Sequence, residues 1–421
     1  MLTLFEIVAL LLVLSAIFSW VNHVYIKLPH TIGLLIMALA ASFVLLGLEA
    51  VAPVLGLTDA LQGAIGQIDF NKTVMNGMLA FLLFAGALHV DFGFLRSQKW
   101  AIGAMATVGV VLSTFIIGTG FYLITRMFGL DVPFIWALVF GSLISPTDPV
   151  AVLSILKTVT MPHALEAKIA GESLFNDGVG VVVFTIMVAI AVGSTHGGGH
   201  VDAAHVAELF FVEAGGGVLL GVATGWLTYQ MMARMDEHSI EILISLGIVA
   251  GTYALAQRLH LSGPIAVVVT GLLIGNKGVS VGMSESTKEH LFGFWEVVDE
   301  ILNSVLFLLI GLEMLILGFT GQFILIALLT IPLVLLARFV AVSVPMRFLG
   351  LFKEFTKGAI PVLTWGGVRG GISVALVLSL PESEYKPLLL ATTYGVVIFS
   401  IIVQGLTIKK VVQSRVDPEL L

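Results

Sequence analysis

Four polar side chains interrupt one long apolar segment, residues 164–194, and their types suit ion or proton chemistry. On a helix, Glu172 and Asn176 share one face because they lie four residues apart. Ser173 and Asp177 share the neighbouring face for the same reason. A charge in the middle of a bilayer costs at least about 2.5–3.5 kcal/mol and faces a bundle interior or a water-filled cavity. The segment is therefore predicted to hold an ion or proton site, with a purely structural hydrogen-bond network as the alternative.

A second polar cluster interrupts residues 133–156, where Pro146 and Pro149 flank Thr147 and Asp148. Each proline removes a backbone donor and clashes with the preceding turn, so the helix is predicted to break here. Unwound backbone at membrane depth is tolerated only where it lines a cavity or is buried in protein. The plainer interpretation is a proline kink with Asp148 capping the second half-helix, and the two interpretations are compatible.

The third cluster places Arg369 among four glycines within residues 358–380. A guanidinium does not deprotonate in proteins, so Arg369 is expected to need a buried carboxylate, and Glu172 or Asp148 is the natural partner. The other intramembrane arginine, Arg338, is expected near the cytoplasmic end of its segment. There it could reach the headgroups, and no role is assigned to it.

The composition is that of an all-α membrane protein. Of 421 residues, 58% are hydrophobic and 11% are charged, whereas soluble domains carry about 25% charged residues. The absence of cysteine excludes disulfides and cysteine-ligated metals. The sequence also lacks the glycine-rich phosphate loop that ends in lysine and serine or threonine, which excludes ATP binding by that route. No enzymatic activity, cofactor or nucleic-acid partner is expected.

Thirteen segments are candidates for spanning helices, which need roughly 20 apolar residues each. They are approximately 3–20, 29–47, 73–91, 100–125, 133–156, 164–194, 204–233, 239–257, 262–276, 292–317, 321–346, 358–380 and 387–408. With the N-terminus outside, fourteen Lys and Arg residues fall in inner loops and four in outer loops. Positive charge collects on the cytoplasmic side, so the C-terminus is predicted to be cytoplasmic.

The two interrupted segments suggest internal symmetry. Residues 133–156 and 358–380 are the fifth and twelfth segments, so they cross the membrane in opposite directions. Paired broken helices in inverted halves indicate the binding site of a secondary transporter. Residues 1–421 are therefore predicted to form one membrane domain, with inverted repeats at roughly 29–194 and 239–408 and no soluble domain.

At three motifs, taken in order, the chain resembles a known family. These motifs are Thr147-Asp148-Pro149, Glu172-Ser173-Leu174-Phe175-Asn176-Asp177 and Trp365-Gly366-Gly367-Val368-Arg369-Gly370. They resemble the NhaP-type and eukaryotic sodium/proton exchangers of the first cation/proton antiporter family. The resemblance implies an NhaA-like antiporter fold with crossing broken helices, a homodimer, and a place in a bacterial inner membrane.

The resemblance also implies which residues bind the transported ions. Asp177 is the implied shared site for the ion and the proton, helped by Asp148, Ser173 and Thr147. The implied ligands of the monovalent cation are Asp177, Ser173 and Thr147.

Two supporting roles are implied by the same family pattern. Asn176 is implied to orient Asp148, and Glu172 is implied to pair with Arg369. An Asn176–Asp177 pair, instead of two aspartates, is typical of the electroneutral branch.

One position departs from the family pattern. Many relatives carry a glutamate in the third span, where this chain has Ala85 within the run from Phe84 to Leu88. One possible ion ligand is therefore missing, and the resemblance does not carry over the cation selectivity.

The predicted function is antiport of Na⁺, with Li⁺ as a further substrate, against H⁺. Burial disfavours the charged form of a carboxylate, so a proton and a cation would compete for the oxygens of Asp177. If only the neutralised form crosses, one proton exchanges for one cation. K⁺/H⁺ exchange is a close alternative, a cation channel is a second class, and a membrane sensor is a third.

Overall fold

The computed structural model describes residues 3–51, 70, 72–148, 163–195, 203–278, 283–314, 321–351 and 358–415. Within these ranges the regular secondary structure is entirely helical. The predicted all-α class is thereby confirmed.

Three α-helices lie in the described residues up to Leu88, and the last two of them line the cavity described below. They are α1 (Leu4–Val21), α2 (His30–Val51) and α3 (Leu79–Leu88). A π-helical turn, Asn22–Ile26, ends α1, and Lys27 follows with a left-handed backbone. The Asn22 side chain then accepts from the Leu28 N–H at 3.2 Å and donates to the Leu28 carbonyl at 2.9 Å. These two bonds fix the path of the chain into α2.

The next four helices carry two of the polar clusters. They are α4 (Phe92–Ala104), α5 (Val110–Met127), α6 (Phe134–Ile144) and α7 (His163–Thr195). A π-helical segment, Met105–Gly109, joins α4 and α5 into one rod. At 1.5 Å per residue, the 33 residues of α7 extend well beyond a hydrocarbon layer of about 30 Å.

Nine further helices complete the bundle. They are α8 (Ala203–Met232), α9 (His238–Arg258), α10 (Gly263–Leu273), α11 (Glu285–Glu313), α12 (Gly321–Gly350), α13 (Ala359–Trp365), α14 (Gly371–Leu378), α15 (Lys386–Phe399) and α16 (Gly405–Arg415). A π-helical segment, Ser400–Gln404, joins α15 to α16.

Helix occupies part of each of the thirteen predicted segments. Among the described residues, eight helices are long and apolar enough to cross a membrane, and three shorter apolar helices accompany them. The positions of the helices are confirmed, and the number of crossings stays a prediction. Lys168 is one of the fourteen cations that were assigned to inner loops. It lies on α7 with 1% of its surface exposed, so this assignment was wrong.

The described parts of the two interrupted helices meet at their breaks, and this meeting point is called the crossing below. The first break follows α6 at residues 145–148, and the second separates α13 from α14 at residues 366–370. The backbone N–H of Asp148 donates to the carbonyl of Val368 at 2.7 Å. A Cβ atom at position 370 would overlap the Asp148 carboxylate, so Gly370 permits this approach. Pro149 and the predicted half-helix beyond it lie outside the described residues, and the inverted repeats stay a prediction.

Helix α6 packs closely against α5 shortly before the first break. A Cβ atom at Gly141 would overlap the backbone carbonyl oxygen of Thr114 on α5. Small residues at helix interfaces allow such backbone approach within a bilayer, where hydrophobicity does not drive association. Gly141 therefore permits the close approach of α6 to α5, three residues before α6 ends at Ile144.

We expect Gly141→Ala to lower stability by about 1–3 kcal/mol, because the added methyl meets backbone that cannot turn aside. The measurement is the thermal unfolding midpoint of the purified protein in detergent. Gly247→Ala on α9 is the matched control, since nothing lies within 4 Å of its added Cβ. Equal midpoints for the two variants would contradict the packing role of Gly141.

Candidate ion-binding site

A cavity of about 850 Å³ is lined by residues of α2, α3, α7 and α11. Its rim carries exposed charged side chains, including Lys27, Glu166 and Lys409. Its deepest described carboxylates are Asp148 and Asp177, which are 8% and 3% exposed. The cavity therefore connects the surface of the protein with the crossing of the two broken helices.

Asp177 reaches the cavity because α7 turns one stripe of residues towards it. Glu166, Ala170, Leu174 and Asp177 all line the cavity, at spacings of three or four residues. Among the described residues, Asp177 Oδ1 has no hydrogen-bond partner. A buried carboxylate oxygen in that state is costly unless it is neutralised or paired. A proton or a small cation supplied from the cavity would meet this need.

Ser173 and Thr147 lie behind this surface, where they bond to each other. Their hydroxyl oxygens are 3.0 Å apart, and both side chains are fully buried. The described lining of the cavity includes Asp148 and Asp177 but neither hydroxyl. The four predicted ion-site residues thus lie close together in the fold, and only the two aspartates face the cavity.

Asn176 fastens α7 to the first break through Thr147. Its amide nitrogen donates to Thr147 Oγ1 at 2.7 Å, and its amide oxygen accepts from the Thr147 N–H at 3.2 Å. The same nitrogen donates to Glu172 Oε1 at 2.8 Å. The expected orientation of Asp148 by Asn176 is therefore indirect, since Asn176 holds the residue before it.

Glu172 pairs with Arg338, so the predicted Glu172–Arg369 pair was wrong. Both terminal nitrogens of Arg338 donate to the carboxylate of Glu172, each at 2.6 Å. Arg338 also donates to the Leu363 carbonyl, from Nε at 3.2 Å and from Nη2 at 3.0 Å. A bidentate arginine–carboxylate pair of this kind is short, directional and charge-assisted.

The expectation that Arg338 has no role was wrong for a geometric reason. Helix α12 continues to Gly350, well past the predicted end at residue 346. Arg338 therefore lies twelve residues from that end, roughly 18 Å at 1.5 Å per residue. Its side chain is 6% exposed and bonded inside the protein, so it does not extend to the surface.

Arg369 instead serves the backbone of the first break. Its Nη1 donates to the carbonyl of Ser145 and, at 2.8 Å, to the carbonyl of Pro146. Carbonyls at a helix end carry partial negative charge and need donors from elsewhere. Pro149 has no N–H to offer the Ser145 carbonyl four residues before it, so the buried guanidinium of Arg369 supplies a donor there.

The segment Ser400–Gln404 holds the second break from the other side. Ser400 Oγ accepts from the backbone N–H of Arg369 at 2.9 Å and donates to Gln404 Oε1. Gln404 Nε2 in turn donates to the carbonyl of Trp365 at 2.9 Å. Both sides of the glycine-rich break are thus bonded to one turn of a neighbouring helix.

The position where many relatives carry a glutamate is part of the cavity wall. Ala85 lies on α3, is 1% exposed, and lines the cavity. His89, one turn later, bonds through Nδ1 to the Ala85 carbonyl at 2.8 Å and also lines the cavity. Asp91 caps α4 by accepting from the N–H groups of Gly93 and Phe94.

Sequence reasoning missed a polar stripe on α11. Glu296, Asp299, Glu300 and Asn303 all line the cavity. Their spacing of three or four residues was the available signal, because it places them on one face of a helix. The sequence analysis took this segment only as part of the tenth span.

Crossed interrupted helices, with buried carboxylates at the floor of an open cavity, are the architecture of a secondary transporter. Comparison with known proteins specifies the group. The chain belongs to the family described as "Sodium/hydrogen exchanger, transmembrane", which matches residues 9–414. The chain is therefore an integral membrane transporter and not an enzyme.

Individual relatives match nearly the whole chain. The Na(+)/H(+) antiporter NhaP of Pseudomonas aeruginosa is 45% identical over 413 residues, 97% of this chain and 96% of the relative. The Na(+)/H(+) antiporter NhaH of Halobacillus aidingensis is 36% identical over 387 residues, 89% of this chain and 91% of the relative.

A solved structure shares the fold. The sodium proton antiporter MjNhaP1 from Methanocaldococcus jannaschii at pH 8 superimposes with a TM-score of 0.73. Its sequence identity is 18%, and the match covers 96% of both chains. The predicted all-α antiporter fold is thereby confirmed, in its NhaP-like form, and the number of spans stays a prediction.

We expect Arg338→Ala to destabilise the protein by about 3–5 kcal/mol, because it leaves the Glu172 carboxylate buried and unpaired. The yield of folded protein and the thermal midpoint in detergent measure this effect. Adding Glu172→Gln should recover part of the loss, since it removes the uncompensated charge.

Arg347→Ala is the control, because Arg347 lies exposed near the end of the same helix. If Arg338→Ala were as stable as Arg347→Ala, the ion pair would not support the fold.

Proposed function

We propose that this chain exchanges Na⁺ for H⁺ across the membrane, one for one, with Asp177 as the shared binding group. The observation that carries the proposal is the buried carboxylate of Asp177, which lines the cavity and has an oxygen without a described partner. Membership of the sodium/hydrogen exchanger family and relatives named Na(+)/H(+) antiporters support it.

Competition for one carboxylate is the proposed coupling mechanism. Buried away from bulk water, Asp177 requires a neutralising partner, and either a proton or a cation serves. Asp148 beside it adds carboxylate oxygens, and unwound backbone adds carbonyls of the kind that coordinate Na⁺ in broken-helix transporters. The two ions exclude each other from Asp177, and only the neutralised carboxylate crosses in this proposal, so each passage of one ion requires the return of the other.

Ser173 and Thr147 complete the proposed cation shell with hydroxyl oxygens. A hydroxyl that donates one hydrogen bond keeps lone pairs for a cation. The contact between Ser173 and Thr147 holds these two oxygens together, one turn of α7 from Asp177. In this proposal, both hydroxyls turn towards the ion when it reaches the carboxylate.

The proposed single-charge stoichiometry assigns the exchange to Asp177 alone, with Asp148 as a ligand whose charge stays constant. Glu172 is occupied by the bidentate contact with Arg338 and stays out of the exchange. Position 176 is an asparagine and supplies no second titrating group. One carboxylate that carries either one proton or one monovalent cation moves no net charge per cycle.

The proposed orientation places the N-terminus outside and the C-terminus in the cytoplasm, because most cations then face inward. The cavity opens among Lys27, Glu166 and Lys409, all of which fall on the inner side in this orientation, so the described conformation is inward-facing. We place the protein in a bacterial inner membrane as a homodimer, as the family resemblance implies.

K⁺/H⁺ exchange is the second candidate, and one observation favours keeping it. Ala85 supplies no carboxylate to the cavity wall. With fewer charged ligands, a site exerts a weaker electrostatic field on the bound cation. A strong field is what favours a small dehydrated ion, so its loss makes the site less selective for Na⁺ over K⁺. The comparison of Na⁺, Li⁺ and K⁺ in the experiment below distinguishes the two.

We expect Asp177→Asn to reduce exchange to the level of protein-free liposomes, because an amide cannot alternate between a proton and a cation. Proteoliposomes with an acidic interior and a pH-sensitive dye report the exchange when Na⁺, Li⁺ or K⁺ is added outside. Asp131→Asn is the matched control, since its side chain is 96% exposed. Cation-dependent dequenching that persists in Asp177→Asn would refute the assignment of the site.

We expect the exchange to be insensitive to membrane voltage. Moving one net charge per cycle across 100 mV would contribute about 2.3 kcal/mol, enough to shift the balance point of the gradients strongly. Potassium gradients with valinomycin set the membrane voltage. At every voltage, the net Na⁺ flux should vanish when the proton and Na⁺ concentration gradients are equal. A balance point that moves with voltage would contradict the one-for-one stoichiometry.

A further inference from the structure

We propose a second cation-binding subsite in the same cavity, on the wall that α2 and α11 form opposite α7. Its oxygen ligands are the side chains of Thr31, Asp299 and Asn303. It binds a monovalent cation that keeps part of its water shell before the ion reaches Asp177. The identity of the ion rests on the proposed function, whereas the subsite itself is argued from the geometry of this wall.

Asn303, a residue of the cavity wall, supplies a buried oxygen without a described partner. Its side chain is 2% exposed and lines the cavity. The amide nitrogen donates to the Asp299 carbonyl at 2.8 Å and to Asp299 Oδ1 at 3.0 Å. These two bonds fix the orientation of the amide, because an amide oxygen could not donate to either acceptor. Among the described residues, Oδ1 accepts no hydrogen bond.

Thr31 supplies a second such oxygen from the other helix of this wall. It is 4% exposed, lines the cavity, and its Oγ1 has no partner among the described residues. The start of α2 is tied to α11, since His30 Nε2 lies 2.7 Å from Ser304 Oγ. Ser304 in turn donates to the Glu300 carbonyl at 2.6 Å. The two unpartnered oxygens therefore belong to one fixed wall.

The charge of this wall selects a cation. Glu296, Asp299 and Glu300 follow one face of α11 and line the cavity, from the exposed Glu296 to the half-buried Asp299. Lys27 and Lys409 also line the cavity but are exposed. Carboxylate, amide and hydroxyl oxygens are hard ligands, and they suit alkali cations better than transition metals.

A monovalent, partly hydrated ion fits better than a divalent one. No group of three or more His, Cys, Asp or Glu in the described ranges has the arrangement of a metal site. The cavity of about 850 Å³ leaves room for water molecules around the ion. The subsite would therefore concentrate the cation beside Asp177 without trapping it, so its loss should raise the apparent KM and spare the maximal rate.

Thr31→Val and Thr31→Ser form the central pair of the test. The valine keeps the shape and loses the oxygen, whereas the serine keeps the oxygen. In proteoliposomes at constant ionic strength, Thr31→Val should raise the apparent KM for Na⁺ about threefold to tenfold and keep the maximal rate within about twofold. A higher KM with an unchanged rate is expected when a variant loses an interaction that stabilises the bound ion and the transition state equally. Thr31→Ser should retain the original KM. Asn303→Ala should behave like Thr31→Val.

A high salt concentration distinguishes two effects, namely long-range attraction of cations by the acidic stripe and direct binding at the subsite. Glu296→Gln removes a charge at the rim, and its effect on KM should fade in about 1 M choline chloride, where the screening length is about 3 Å. The effect of Asn303→Ala, which changes no charge, should persist there. If the Asn303→Ala effect also vanished, the stripe would act only by attraction and the subsite would be refuted.

A binding measurement keeps this proposal distinct from the proposed function. In the Asp177→Asn background, NaCl should raise the thermal midpoint more than choline chloride does, and adding Thr31→Val should abolish the difference. This result without exchange by the unmodified protein would support the subsite and refute the proposed function. Exchange with an unchanged KM in Thr31→Val and Asn303→Ala would support the proposed function and overturn the subsite.

Discussion

The structure depends on satisfying backbone groups that two broken helices expose deep in the bilayer. Arg369 donates to the carbonyls of Ser145 and Pro146, just beyond the end of α6. The N–H of Asp148 donates to Val368 in the opposite break. In hydrocarbon, each unsatisfied group would cost several kcal/mol. Each break therefore stabilises the other by supplying hydrogen-bond partners to it.

The two buried arginines have separate partners, although the sequence analysis predicted a buried partner for Arg369 alone. Arg338 neutralises Glu172, and Arg369 compensates the end of α6. Replacing a buried ion pair by apolar residues is often neutral or stabilising, so such a pair is weak evidence for stability alone. Its position is more informative, because Asn176 also bonds Glu172 and thereby connects the pair to Thr147. The pair is one end of a chain of contacts that leads to the first break.

The sequence predicted the helical segments, the two breaks and the aspartates at the cavity. Proline and glycine at fixed positions determine where a helix can continue, and a carboxylate in an apolar run is conspicuous without a structure. The partner of Glu172 could not be derived in this way, because hydropathy left the end of α12 uncertain by several residues. The α11 stripe was missed because its carboxylates lie near a helix start, where exposed charge is ordinary. Which wall faces a shared cavity depends on helix rotation, and that is set by packing.

The bracing by Ser400 and Gln404 has a mechanical consequence. One π-helical turn between α15 and α16 forms hydrogen bonds to the backbone at Arg369 and at Trp365, on both sides of the glycine-rich break. Arg369 in turn donates to the carbonyl of Pro146, just beyond the end of α6. Three pieces of chain, distant in sequence, are thus fastened into one block around Asp148. A motion that turns Asp148 and Asp177 towards the opposite face of the membrane must carry this block as a whole, or else rupture several buried bonds at once.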